Sequence, residues 1–263
     1  MIIRELGNGQ LLCIHQTTHA LMAVEFCRHW GNDEFARPEP YAPVMLGIAQ
    51  HDNGWYEWER QPKLRADGYP QDFLHESDLE GKLQLWQRGI DRLYGQHPYA
   101  ALLLSQHATT LYAADLRNGA LAPEIRQRTE DFIARQQQLV HTVRQQFEPD
   151  GLYEVALQDE TITAHTNLLK FGDNASLQVI VPWQNERMLS NCPVDFRGTY
   201  TTIHMAYSDD TITFEPWPFG VAEFVVRIGG YVLDQRTFAT GASYQAALAA
   251  APYRQQRWRV IPA

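Results

Sequence analysis

Cysteine is scarce in this chain. Cys13, Cys27 and Cys192 are odd in number and widely spaced, and no Cys-x-x-Cys occurs. That set excludes a disulfide framework and a thiolate zinc site, and it fits a reducing compartment. Long apolar runs are also missing. No segment approaches the ~20 apolar residues of a membrane helix, and the start Met1-Ile2-Ile3-Arg4-Glu5-Leu6 lacks the apolar core of a signal peptide. The expectation is a soluble, cytoplasmic protein with no membrane partner. Positive charge is sparse: 22 Lys and Arg stand against 31 Asp and Glu, a net charge of −9, with no basic run. A nucleic-acid polymer is therefore not an expected partner. Familiar catalytic signatures are absent as well. There is no Gly-x-Gly-x-x-Gly, no phosphate-binding loop, no Gly-x-Ser-x-Gly and no His-Glu-x-x-His.

What is present suffices for a core. The 263 residues are 44% hydrophobic and 20% charged, enough for one large domain or a domain with an appendage. Residues 1–6 and 11–14 flank Gly7-Asn8-Gly9-Gln10 and predict a short hairpin. The period then turns helical. His19, Ala23, Phe26 and Trp30 share a stripe that Gly31-Asn32 ends. A second helix is predicted from near Pro43, carrying Val44, Ile48, Asp52 and Trp55, with Gly54 loosening its end. The polar, turn-rich stretch 60–76 reads as a loop lying over a site. Ser77-Asp78-Leu79-Glu80 is a capping box, opening a helix that buries Leu83, Trp86 and Ile90. A further helix aligns Leu103, His107 and Leu111. Pro123 opens a long charged helix that runs to about Phe147.

A last helix is predicted over 163–179. It aligns Leu169, Asp173 and Leu177 and is interrupted by Gly172, although 177–181 also fits a strand. Beyond Pro182 the pattern is β. One hairpin is predicted around Ser208-Asp209-Asp210 and another around Gly229-Gly230, followed by a short helix over 244–251 and a strand over 258–261. The expected fold is mostly α. It has a helical domain with the N-terminal hairpin over 1–190 and a small antiparallel β region over 191–263 packed on it, α+β overall. If the N-terminal hairpin joins that sheet, the appendage is integral. The long helix and the sheet edges are surfaces on which a homodimer can form.

The chemistry concentrates on His51-Asp52. Adjacent imidazole and carboxylate groups hold divalent ions. His19 and Asp173 each stand on an apolar helical stripe, where a buried charge needs a partner. Four nitrogen and oxygen ligands on three helices suit Mn, Fe, Zn, Ni, Co or Mg. A small anionic substrate is compatible with the acidic chain, because a bound metal reverses the local field.

The order His … His-Asp … Asp resembles that of the HD superfamily of metallohydrolases. The carried residues are His19, His51, Asp52 and Asp173, and His51-Asp52-Asn53-Gly54-Trp55 resembles the His-Asp-x-Gly form of the motif in larger members. The resemblance covers about residues 15–180 and implies an HD-like helical bundle. The whole chain, including Glu215-Pro216-Trp217-Pro218-Phe219, is similar to a bacterial family of unknown function. The superfamily implies metal-assisted hydrolysis of phosphate esters, often in nucleotides. Asp52 would then be ligand and water-orienting base. His75, His97 and His107 lie where two-metal members place extra histidines. His107, on its apolar stripe, reads as second-metal ligand, phosphate contact or core residue, and His75 sits in the suspected lid. Trp55 stands where many phosphodiesterase members carry lysine, with no clear replacement among Arg60, Lys63 and Arg65. Trp55, Tyr56 and Trp58 form either an aromatic pocket or ordinary packing. Two other readings compete with the hydrolase. One is a catalytically silent scaffold that binds a ligand or partner, and the other is a di-iron oxygenase.

Overall fold

The computed structural model describes residues 1–75, 78–119, 121–147, 151–181 and 186–263. The chain opens on two short strands, β1 (Ile2–Glu5) and β2 (Leu11–Ile14), paired antiparallel from Ile2↔Ile14 to Glu5↔Leu11. Gly9 turns between them at φ +83°, which a side chain would strain. The helices α1 (Gln16–Cys27) and α2 (Tyr41–Ala49) follow. A single 3-10 turn (Asn53–Trp55) then runs into α3 (Tyr56–Glu59). Next come α4 (Leu79–Tyr94), α5 (Pro98–Asn118), α6 (Pro123–Gln146), α7 (Gly151–Ala156) and α8 (Asp159–Ile180). The remainder is β3 (Glu186–Pro193), β4 (Tyr200–Tyr207), β5 (Thr211–Glu215), β6 (Phe224–Leu233), α9 (Gly241–Ala250) and β7 (Tyr253–Pro262).

The expected helical bundle with a small antiparallel appendage is overturned. About half the chain is helical, but the seven strands among the described residues form one sheet in the order β1-β2-β6-β7-β5-β4-β3. The N-terminal hairpin joins it where Leu11 of β2 faces Leu233 of β6. The sheet is mixed: β7 inserts between β6 and β5 and runs parallel to β5, from Thr211↔Arg259 to Phe214↔Pro262. The reason lies in the inner-face residues. Met205, Phe214, Val226, Trp258 and Val260 alternate with outward residues and are buried. They share one apolar cluster with Met22 and Phe26 of α1 and Leu168, Phe171 and Ala175 of α8. Each such side chain contributes roughly 1.5–3 kcal/mol by leaving water, so the sheet is a wall of the main core.

Several elements differ from expectation for local reasons. Gly229-Gly230 is not a turn, since β6 runs straight through it. A Cβ on Gly229 would meet the Tyr253 ring, and one on Gly230 would lie 2.8 Å from the Cys13 carbonyl oxygen, so both glycines serve close packing inside the sheet. The hairpin at Ser208 forms as predicted, with Ser208 N donating to Thr211 O at 2.8 Å. The predicted cap Ser77 lies outside the described residues. Asp78 caps α4, its carboxylate accepting from Gly81 N at 2.8 Å. The Pro216-Trp217-Pro218-Phe219 stretch docks where α1 ends. Gly31 N donates to Pro218 O and Gly220 N to His29 O, with Phe219 buried beside Trp30.

Candidate metal centre

Two close backbone contacts set up the site. The first joins α1 and α8, which pack antiparallel in one-turn steps: His19 meets Ser176, Ala23 meets Gly172, and the Cys27 thiol donates to Leu168 O. A Cβ on Gly172 would stand 2.7 Å from Cys27 Sγ and 2.8 Å from Ala23 O. Gly172 thus does not interrupt α8. It lets the two helices approach closely enough for His19 to reach Asp173.

The second contact is at Gly54. The predicted second helix does not carry Asp52, because α2 stops at Ala49 and His51-Asp52 sits in the turn before Asn53–Trp55. A Cβ on Gly54 would lie 2.2 Å from Leu85 O, and one on Gly89 would lie 3.1 Å from Gly54 N. The 3-10 turn therefore crosses α4 backbone to backbone. Asn53 fastens the crossing, donating from Nδ2 to Gln50 O at 2.9 Å and to Gly89 O at 3.2 Å.

These contacts bring His19, His51, Asp52 and Asp173 together. His19 and His51 are buried to 0% and 1% exposure, and Asp52 to 7%. His19 Nε2 lies 3.1 Å from Asp173 Oδ1 and 3.6 Å from Asp52 Oδ2. His51 Nε2 lies 3.5 Å from Asp52 Oδ2 and 3.6 Å from Asp173 Oδ1. Ligands bonded at about 2.1 Å around a tetrahedral or octahedral ion stand about 3.0–3.4 Å apart, so the spacing is near that of a coordination shell. Ligand atoms of His19, His51 and Asp173 all lie within 4.8 Å of one another, and that cluster can hold a metal ion.

The far ring nitrogens decide which tautomers are present. His51 Nδ1 is 2.8 Å from Ile48 O, an acceptor only, so Nδ1 carries the proton and donates. His19 Nδ1 is 2.9 Å from Ser176 Oγ, whose own hydrogen is directed at the carbonyls of Gly172 and Asp173. In the tautomer that leaves His19 Nε2 open to a metal, Nδ1 donates to this oxygen. In the neutral rings both Nε2 lone pairs face the carboxylates, the arrangement in which second partners orient metal-ligating histidines. His51 Nε2 is buried with no hydrogen-bond partner among the described residues.

The charges are strongly coupled. Burial opposes a cationic His51, but the Asp52 and Asp173 carboxylates overcome it and lift the imidazole to about 9. Burial pushes the Asp52 carboxyl up against the pull of His51 and His19. At Asp173 burial also acts upward, yet the neighbouring His19 and His51 rings hold it well below the usual carboxylate range.

His107 on α5 joins from the other side, its Nε2 3.7 Å from Asp173 Oδ2. Burial holds it down at about 3, so the ring is neutral, and its Nδ1 has no partner among the described residues. A cavity of about 260 Å³ opens over this group, lined among others by Trp55, Trp86, His107 and Lys82. Trp55 is thus at the cavity wall, and the Trp58 ring sits 5.6 Å behind it. His75 does not join the group. Its ring is more than half exposed and pairs with Asp72 at 2.7 Å. His97 caps α5 instead, accepting from Tyr99 N at 3.2 Å. Two residues escaped sequence reasoning. Ser176 is one turn past Asp173, and Lys82 lies between Leu79 and Trp86 on the cavity face of α4. Helical spacing from residues already singled out was the available signal for both.

The chain belongs to a family described as protein of unknown function (DUF3891), whose model matches residues 1–235. No curated protein and no solved structure matches it. Family membership carries no activity, and nothing in these matches places the chain in the HD superfamily.

Proposed function

We propose that this protein is a metal-dependent hydrolase of a small phosphate ester. The observation that supports it most is the buried, unpartnered Nε2 of His51, directed at the point where His19 Nε2 and the carboxylates of Asp52 and Asp173 converge. Imidazole nitrogens and carboxylates that converge in a buried place need a cation between them, a proton or a metal ion. His19, His51, Asp52 and Asp173 would hold a divalent ion, and two nitrogens with two carboxylates suit Mn, Fe, Zn, Ni, Co or Mg. When bound, such an ion supplies Lewis acidity, acidifying a water molecule and neutralising phosphoryl charge.

The remaining tasks fall to side chains. Ile48 O and Ser176 Oγ keep the two ligand histidines in the correct tautomer. Asp52 orients the attacking water, as ligand and base. Neutral His107 can donate a hydrogen bond to a phosphoryl or leaving oxygen from the cavity wall. Trp55 covers one side and excludes solvent. The order of these residues along the chain resembles that of HD hydrolases.

Elemental analysis of untagged wild type beside His51→Ala is the test. Stoichiometric metal in wild type, lost in the variant, supports the site and directs a phosphoester screen with that metal. Absence of metal from wild type after loading with Mn, Fe or Zn would sink the reading in favour of a silent scaffold. Two irons per chain would redirect it to the oxygenase.

A further inference from the structure

Gln16 opens α1 one turn before His19, and both residues line the cavity over the His/Asp group. Residues three apart on a helix stand about 5–6 Å apart at Cβ, which brings the Gln16 side chain within reach of the His19 end of that cavity. The backbone here is fixed, because Gln16 N donates to Glu59 Oε1 at 2.8 Å and Glu59 is itself buried. The side-chain amide has no such tie. Gln16 is 2% exposed, and its Oε1 is sealed from solvent with no hydrogen-bond partner among the described residues. Its Nε2 has no acceptor among them either. With Oε1 sealed, Nε2 is the end of the amide left to face the cavity. A buried amide without partners is a cost that packing alone does not explain, since a leucine would fill the same space without it. Among the described residues Gln16 is the one side-chain amide on the cavity wall.

We infer that Gln16 is a substrate-contact residue of this site, its Nε2 donating to an oxygen of the phosphoryl group held on the ion. The inference rests on the metal-hydrolase reading. A phosphoryl group presents several acceptor oxygens. One can meet the ion while others meet neutral donors on the wall, Gln16 from α1 and His107 from α5. Stability and function then pull apart at this position: the amide is unfavourable in the empty protein and is used in the liganded one.

Manganese-loaded wild type, Gln16→Leu and Gln16→Glu are titrated calorimetrically with inorganic phosphate. Metal content is measured on each sample, and thermal melts are run on the metal-free proteins. In Gln16→Leu the Kd for phosphate should rise about tenfold or more, the usual weight of a hydrogen bond to a charged group. Gln16→Glu keeps the shape but presents a carboxylate, and it should lose at least as much. Metal content should hold, and metal-free Gln16→Leu should melt at or above the wild-type temperature. Unchanged phosphate affinity in both variants with metal retained overturns the role of Gln16 and leaves the metal site standing. A metal-free Gln16→Leu protein that melts well below wild type makes the amide structural and overturns the role as well. A loaded wild type that binds no phosphate overturns the phosphoryl ligand. Absence of metal from all three proteins overturns the hydrolase reading, and this inference with it.

Discussion

Replacing Ser176 with alanine isolates the step from second partner to ligand. Ser176 is fully buried, and its Oγ lies 2.9 Å from His19 Nδ1. The change removes one oxygen and leaves the helix backbone untouched. In the metal-ready tautomer the Nδ1 hydrogen then loses its acceptor, a cost of about 1–3 kcal/mol for a buried donor. A neutral ring can avoid that cost by moving its proton to Nε2, where Asp173 Oδ1 waits at 3.1 Å. That tautomer has no lone pair for a metal, so binding must reverse the shift. Metal affinity should therefore fall about 10–100-fold, as for other second partners of ligating histidines, while the metal-free protein loses no more than about 1 kcal/mol. The assay is competitive titration of zinc or manganese against a chelator, paired with thermal melts of the metal-free proteins. Undiminished affinity in a folded Ser176→Ala protein would refute the tautomer argument.

Three further outcomes are expected. Zinc or manganese at about 100 times its Kd should stabilise wild type by about 2.7 kcal/mol, several degrees of Tm, whereas Asp52→Ala should fold, retain no metal and show no such shift. Gly54→Ala should cost about 3 kcal/mol or more, read by denaturant melts, because its Cβ would meet Leu85 O at 2.2 Å; a neutral effect would show that α4 can move away. His165 gives a pH signature away from the centre. It donates from Nδ1 to the Tyr99 oxygen at 2.7 Å, and burial pushes its imidazole down from 6.5 to about 3. The unfolded chain thus binds the extra proton first. Stability from this group is intact above pH 6.5 and is lost at about 1.4 kcal/mol per unit as pH falls toward 3. His165→Gln should flatten that slope by one proton, and an unchanged slope would assign the acid sensitivity elsewhere.

The grouping of His19, His51 and Asp173 was more legible in the sequence than the fold, and the reasons differ by residue. His19 and Asp173 were conspicuous because a polar group on an apolar helical stripe needs a partner, a rule that holds before any contact is known. His51-Asp52 stood out by adjacency, although its helix was misread. The stop at Ala49 depends on Gly54 meeting Leu85 and Gly89 across a long separation, which local periodicity does not register. The sheet failed for the same reason. Each strand has an ordinary alternating pattern, but the β2–β6 and β5–β7 pairings join segments from opposite ends of the chain or across an intervening helix. Gly229-Gly230 was misread as a turn because the usual signal for a turn is also the signal for close packing in a strand. His75 entered the candidate set through its position in the chain alone, and it faces solvent.

The two glycines that shape the backbone also explain why the centre is where it is. Gly172 immediately precedes Asp173, and Gly54 follows Asp52 by two residues. Each removes a Cβ that would hold two elements apart, so each draws a carboxylate into a place where burial opposes its charge. Those carboxylates need positive counterparts. His19 and His51 meet them edge on, but Ile48 O already holds the other nitrogen of His51 as a donor, and Ser176 Oγ faces that of His19. In the neutral protein that arrangement sets lone pairs against carboxylates, which is repulsive unless a proton or a metal enters between them. A proton can satisfy only one nitrogen at a time. A divalent ion would satisfy both nitrogens and both carboxylates at the spacing observed, so the close backbone contacts at Gly54 and Gly172 are also those that bring the proposed ligands together.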